Sequence, residues 1–302
     1  VVLSKLFGDI IRKLPDEIIT IEESDGKVNI KCSNSEFNII GLSADEFPNI
    51  NPKEENEERI LFNKEILTDM IRKTSFAASI DENKGVITGI LIEMEENCLN
   101  MVAVDGFRMA IAREAMKNKE RENIIISAKI LNEISRIISD SEDENEDIEM
   151  LLNDKKALFV MEDTKIVLRL LEGKFMDYKR ILPSENSCRV VLNKNDFMNS
   201  VERASLLAKV GKNNLVKLEI KDACIEITSK SEEGNVKENV IVTKEGEDVT
   251  IGFNSKYLLD ALKVIDDDNI VLLFNNSVSP CLIQPISGNS YEYLILPVRL
   301  GQ

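Results

Sequence analysis

Ser4-Lys5-Leu6-Phe7-Gly8-Asp9-Ile10-Ile11-Arg12-Lys13-Leu14 decides how this chain is built, because the stretch returns twice. It comes back as Ala128-Lys129-Ile130-Leu131-Asn132-Glu133-Ile134-Ser135-Arg136-Ile137-Ile138, and again as Ser255-Lys256-Tyr257-Leu258-Leu259-Asp260-Ala261-Leu262-Lys263-Val264-Ile265. Each copy leads with a lysine, carries an acid or Asn at its middle, and places Arg or Lys seven residues after that lysine. A spacing of about 125 residues is that of a duplicated domain, not of a short solenoid repeat.

A second helical pattern alternates with the first. Asn63 to Ala78 pairs with Asn193 to Ala208, with Ile66, Leu67, Met70 and Ile71 in one and Phe197, Met198 and Val201 in the other on one helical face. Short alternating runs follow the helices. They are Ile18 to Ile21, Lys27 to Cys32 and Glu36 to Ile40; Ile87 to Glu93, Leu99 to Val104 and Arg108 to Ala112; Leu215 to Ile220, Cys224 to Thr228 and Val236 to Val242; and Ile270 to Phe274, Cys281 to Ile286 and Tyr291 to Leu296. Asp25-Gly26, Asp105-Gly106 and Ser287-Gly288-Asn289 mark turns between them.

The unit is thus a helix followed by antiparallel strands, in two kinds that alternate over 1–56, 57–122, 123–183, 184–248 and 249–302. Two units make a domain. The class is α+β with repeated domains: 1–56 as the second half of a first domain, 57–183 as a second and 184–302 as a third. A further half-domain is expected ahead of Val1, where the chain also lacks an initiator Met. The polar stretches 51–58 and 182–187 suit junctions, and the acidic run Asp140 to Asp147 suits a solvated loop, since it lacks the glycine-centred spacing of a calcium loop.

Composition narrows the function. There is no histidine, which removes His-based triads and His-ligated zinc, and there is no phosphate-loop or dinucleotide fingerprint. Five scattered cysteines without a C-x-x-C pair read as free thiols of a reducing, cytoplasmic setting. No run of apolar residues is long enough for a membrane span, and neither a cofactor nor a metal is expected. The formal net charge is -16, yet the five repeat helices together carry +6, leaving -22 on the remainder. Basic residues therefore recur in register on one kind of element. Lysine and arginine in that arrangement suit phosphate contacts that read no bases.

Several motifs are similar to those of one family. Val102-Ala103-Val104-Asp105-Gly106-Phe107-Arg108-Met109-Ala110, Phe175-Met176-Asp177-Tyr178-Lys179-Arg180-Ile181-Leu182-Pro183, Arg203-Ala204-Ser205-Leu206-Leu207-Ala208, Phe253 to Leu262 and Leu294-Ile295-Leu296-Pro297-Val298-Arg299-Leu300 resemble, in order and spacing, the bacterial DNA polymerase III beta subunit. The resemblance implies a non-enzymatic sliding clamp, a homodimeric ring that encircles double-stranded DNA without sequence preference and tethers the replicative polymerase alpha subunit. It implies DNA-facing Lys5, Arg12, Lys13, Lys64, Arg72, Lys73, Lys129, Arg136, Lys194, Arg203, Lys256 and Lys263. It implies a pocket for the clamp loader and other clamp-motif peptides at Ile87, Val104, Gly106, Phe107, Arg108, Met109, Pro183, Leu294, Leu296, Pro297, Val298 and Arg299. It pairs Phe37 and Ile39 of one protomer with Leu206 and Leu207 of the next, edge strand to edge strand. Phe107 stands where many members carry His or Tyr, and Gly301-Gln302 extends past the usual terminal Arg-Leu. Two other readings remain at this point: a clamp-like peptide-binding scaffold that does not encircle DNA in this truncated form, and a carboxylate-based hydrolase using the acidic run with a metal.

Overall fold

The computed structural model describes residues 1–43, 45, 58–117, 123–141, 147–153, 155–161, 164–211 and 214–300. Most of the 51–58 junction, the centre of the acidic run and Gly301-Gln302 lie outside the described residues. The chain divides into two compact units, Val1–Glu55 and Asn56–Gln302.

In the smaller unit, helix α1 (Ser4–Lys13) precedes strands β1 (Ile19–Ser24), β2 (Lys27–Cys32) and β3 (Ser35–Ile40), which form one antiparallel sheet in that order. Asp25 and Gly26 both take positive φ between β1 and β2, the tight turn that Asp-Gly encodes. Ile10, Ile30 and Cys32 are its buried side chains.

The larger unit repeats one plan four times. β4 (Glu58–Asn63) leads into α2 (Lys64–Ser75), then β5 (Gly89–Glu95), β6 (Cys98–Val104) and β7 (Arg108–Ala115). β8 (Ile124–Ser127) leads into α3 (Ala128–Asp140), then β9 (Asp147–Leu152), β10 (Lys156–Met161) and β11 (Thr164–Arg169). β12 (Cys188–Asn193) leads into α4 (Lys194–Ala208), then β13 (Leu215–Lys221), β14 (Cys224–Ser231), β15 (Gly234–Ile241) and the short β16 (Thr243–Gly246). β17 (Val249–Asn254) leads into α5 (Ser255–Leu262), then β18 (Asn269–Phe274), β19 (Cys281–Pro285) and β20 (Tyr291–Ile295).

Here the structure corrects the sequence reading. Each repeat in this unit starts with a strand ahead of its helix, and that strand leaves for its neighbour's sheet. β4 pairs with β9 while β8 pairs with β5; β17 pairs with β13 while β12 pairs with β18. The four leading strands run straight into their helices, so nothing separates them from the helix in the sequence. Ile87, expected in a strand, sits instead in the 3-10 segment Glu82–Thr88.

β7 and β20 then pair antiparallel, Met109 opposite Leu294 and Ala112 opposite Tyr291. This joins the repeats into one nine-stranded sheet, ordered β16-β12-β18-β19-β20-β7-β6-β5-β8. The expected boundary at 183/184 therefore falls inside one compact unit, with a sheet running across it. Alternation divides that sheet into two faces. Ile90, Ile92, Met101, Ala110, Ile283, Tyr293 and Ile295 pack with α2 to α5 in the main core. Leu91, Val102, Val104, Met109, Ile111, Leu282 and Leu294 turn the other way and form a second apolar cluster. Among the described residues no helix is long and apolar enough to cross a membrane.

Candidate functional site

The helix starts are fixed by the strand ends. Asn63 accepts hydrogen bonds from the Glu65 and Ile66 N–H groups (3.0 and 3.2 Å), Asn193 from Asp196 (3.1 Å) and Asn254 from Lys256 (3.0 Å). A lysine follows within the first turn every time: Lys5, Lys64, Lys129, Lys194 and Lys256. Lys5, Lys13 and Lys256 are exposed and carry no ion pair among the described residues. Lys64 is half-buried. Lys129 stands 3.8 Å from Glu82, and Lys263 stands 3.7 Å from Glu202. Arg12 and Arg136 each reach back three residues, to Asp9 (2.6 Å) and Glu133 (2.5 Å). Pairs this exposed are easily exchanged for another anion.

Four of the expected DNA-facing residues hold internal partners instead. Arg72 donates to Asp69 (2.5 Å), to Asp266 (2.6 Å) and to the Val264 carbonyl (3.0 Å). Lys73 donates to Asp69 (2.5 Å), and Lys194 to the Ile265 carbonyl (3.0 Å). These bonds tie α2 and α4 to the turn after α5. Burial pushes the Asp69 carboxyl up, but hydrogen bonds from Lys73 and Arg72 outweigh it and hold the group below its ordinary value. Arg203 forks onto Glu238 of β15 (3.0 and 2.6 Å) and also donates to Ser200 (3.0 Å). Helical spacing marks Asp69 as a partner of Arg72 and Lys73, but no pattern in the sequence marks Asp266 or Glu238, which lie far from Arg72 and Arg203 in the chain.

The expected pocket residues divide into groups. Ile87, Val104, Met109 and Leu294 meet in the second apolar cluster, where Phe175, Tyr178, Ile181 and Leu182 of the segment before β12 also pack. Pro183 lines a small adjoining cleft with Leu273 and Leu282. Gly106 and Phe107 form the β6–β7 turn, with Phe107 54% exposed. Asp105 builds that turn by accepting the N–H groups of Phe107 (2.8 Å) and Arg108 (3.1 Å), and Gly106 takes a φ of +95°. The Leu296 N–H donates to the Phe107 carbonyl at 2.9 Å, which sets the half-exposed Leu296 and Pro297 beside the turn. Val298 turns away to bond the Gly252 carbonyl at 2.8 Å, where a Cβ at residue 252 would lie 3.0 Å from the Val298 oxygen. Arg299 is exposed. Arg108 points to the opposite, helix-bearing side.

Beyond Phe175 the same sheet face opens into a cleft of about 630 Å³ floored by Leu91 and Ile125. Its one half-buried acid, Glu93, already accepts from Tyr178 (2.7 Å) and Asn100 (3.0 Å). Burial raises the Glu93 carboxyl, and the Tyr178 bond, the Lys179 ammonium at 3.2 Å and the Asn100 bond more than reverse that, leaving it below its ordinary value.

β3 and β15 each form an edge of their sheets. Phe37 on β3 is exposed and Ile39 half-buried; Leu206 near the end of α4 is exposed and Leu207 half-buried. Ile241, the last residue of β15, is 87% exposed.

Three family descriptions match consecutive stretches: the N-terminal domain of the DNA polymerase III beta subunit at residues 1–51, its central domain at 62–177 and its C-terminal domain at 179–299. A beta sliding clamp of Staphylococcus epidermidis is 35% identical over 299 residues, which is 98% of this chain and 78% of that protein. Among solved structures, the Bacillus subtilis DNA polymerase sliding clamp superposes with a TM-score of 0.90 at 34% identity, covering 98% of this chain and 79% of that one. A putative DNA polymerase III beta subunit from Eubacterium rectale gives 0.89 at 37% identity, with 98% and 80% covered. Matches in order over nearly the whole length, in sequence and in fold alike, establish that the chain belongs to the DNA polymerase III beta subunit family.

Proposed function

We propose that the protein acts as a sliding clamp, a processivity factor without catalysis of its own, whose protomers close head to tail into a ring around duplex DNA. In this reading 1–56, 57–183 and 184–302 are the second half of a first domain, a second domain and a third. The repeat helices face the DNA. The polymerase, the clamp loader and other partners dock short apolar peptides on the outer sheet face. Phe37 and Ile39 of one copy meet Leu206 and Leu207 of the next. The setting is cytoplasmic, where the template is.

One observation carries the reading. The four helices of the larger unit share one core with the sheet that continues across the repeat seam, and every repeat helix places a lysine in its first turn. The helix dipole disfavours a cation there by about 0.3–1 kcal/mol. α2 and α4 pair that lysine with an acid in the same turn, but α1, α3 and α5 have no first-turn acid and leave Lys5, Lys129 and Lys256 exposed there, which in a chain of net charge -16 points to an anionic partner. Helix amides and lysines together suit phosphate oxygens and read no bases. Lys5, Arg12, Lys13, Lys129, Arg136, Lys256 and Lys263 are the contacts this reading favours, because they are unpaired among the described residues or held only in exposed pairs, whereas Lys64 and Lys73 are half-buried and Arg72, Lys194 and Arg203 bond other elements.

The test is duplex binding as a function of salt. Replacing Lys129 and Lys256 by Glu should weaken binding and lower the slope of log affinity against log salt by about 0.9 for each phosphate no longer neutralised. The same double change should leave thermal unfolding in place. An unaltered slope would refute the assignment of these helices to DNA.

A further inference from the structure

Arg108 differs from the other residues of the outer groove. Along β7, Met109 and Ile111 enter the outer cluster, while Arg108 and Ala110 face the helices. Arg108 is only 9% exposed, so its charge needs partners, and the fold supplies two. Its Nε donates to Asp105 at 3.0 Å and its Nη1 to Asp260 at 2.5 Å. The guanidinium also lies over two rings, 4.7 Å from the centre of Tyr257 and 5.3 Å from that of Phe76. Phe76 caps the end of α2, and Tyr257 and Asp260 share a face of α5. One buried cation thus holds the Asp105–Phe107 turn against a helix from the other side of the seam. The Phe107 ring stacks on Tyr257 as well, with centres 6.0 Å apart and planes inclined by 20°.

We propose that Arg108 is a positioning residue for the partner groove. It fixes the turn that carries Phe107 and, through the Phe107 carbonyl, the strand end at Leu296, and so sets the groove's rim from behind without touching a bound peptide. This rests on the reading that peptides dock beside Met109 and Leu294. Its consequence is that Asp260, on a helix of the opposite sheet face, governs peptide affinity. Lysine cannot substitute for Arg108, because the planar fork must reach two carboxylates while stacked on rings.

The experiment measures binding of a short fluorescein-labelled peptide with leucine and phenylalanine anchors to wild type, Met109→Asp, Arg108→Lys, Asp260→Asn and the Arg108→Lys/Asp260→Asn double variant. Circular dichroism melts of the same proteins report folding. Asp260→Asn and Arg108→Lys should each weaken binding by about tenfold, the equivalent of removing one charge-assisted hydrogen bond. The double variant should bind no worse than the weaker single one, since both act through one interaction. Binding unchanged by Asp260→Asn but abolished by Met109→Asp would overturn the positioning role while leaving the groove intact. Binding insensitive to Met109→Asp would overturn the groove and this inference with it. The isosteric Asp260→Asn change keeps the question answerable if Arg108→Lys fails to fold.

Discussion

At the scale of single residues, a basic side chain's place in the repeat does not tell whether it is free. Lys256 and Lys194 both open a helix behind an Asn cap, yet the first is exposed without an ion pair among the described residues, and the second is half-buried and bonded to the Ile265 carbonyl. Spacing shows where a helix carries charge and which helical neighbour it meets, but partners such as the Ile265 carbonyl and Asp266 come from a distant part of the chain. The seam cluster has a measurable pH signature. Asp69 is held below its ordinary value in the folded protein, so its contribution is full above the ordinary carboxylate range of about pH 4 and is lost as pH falls through the lower folded value. Asp69→Asn should therefore lower stability at neutral pH by about 1 kcal/mol, the pair being part-exposed, and should shrink the gap from wild type on acidification. Melting temperatures of both proteins across that range check the sign. A gap that widens toward low pH would contradict it.

At the scale of elements, helices and most strands were legible because their periods are strong. The five helices, the Asp25-Gly26 and Asp105-Gly106 turns and the meanders after α1, α2, α4 and α5 follow from 3.6- and 2-residue alternation with turn residues between, whereas β9 to β11 after α3 are missing from the sequence reading. The leading strands β4, β8, β12 and β17 were not legible. Glu58 to Asn63 and Ile124 to Ser127 run into a helix with no turn residue between, and their pairing with a neighbouring repeat is a long-range fact that no local pattern encodes. The groove was legible in part. Ile87, Val104, Met109 and Leu294 converge in one cluster, the three strand residues because alternation sends them to one face, whereas Arg108 carries the opposite parity and could have been separated on that ground alone. In the proposed assembly the open edges β3 and β15 meet. A charge placed at the exposed Leu206 puts a desolvated carboxylate in the proposed contact between copies. Leu206→Asp should shift the sedimentation coefficient from dimer to monomer at micromolar concentration without lowering the melting temperature. A dimer that persists would place the interface elsewhere.

At the scale of the whole molecule, charge is partitioned by element. An acidic body bears basic helices, and most of the negative charge lies off the repeat helices. Basic helices of this kind attract a polyanion through screened, non-specific contacts, which fall off within a Debye length of about 8 Å at physiological salt. In the proposed reading, loose contact with DNA and firm contact with peptides are separate jobs, joined at the seam by Arg108. The central claim is topological: the protein stays on DNA by surrounding it, not by gripping it. The most direct test loads the protein with its clamp loader onto a nicked circular plasmid, raises the salt, cuts the circle once and follows the protein by gel filtration. The expected result is salt-resistant retention on the circle and prompt release on linearisation. Salt-sensitive binding that is the same for circular and linear DNA would contradict encirclement.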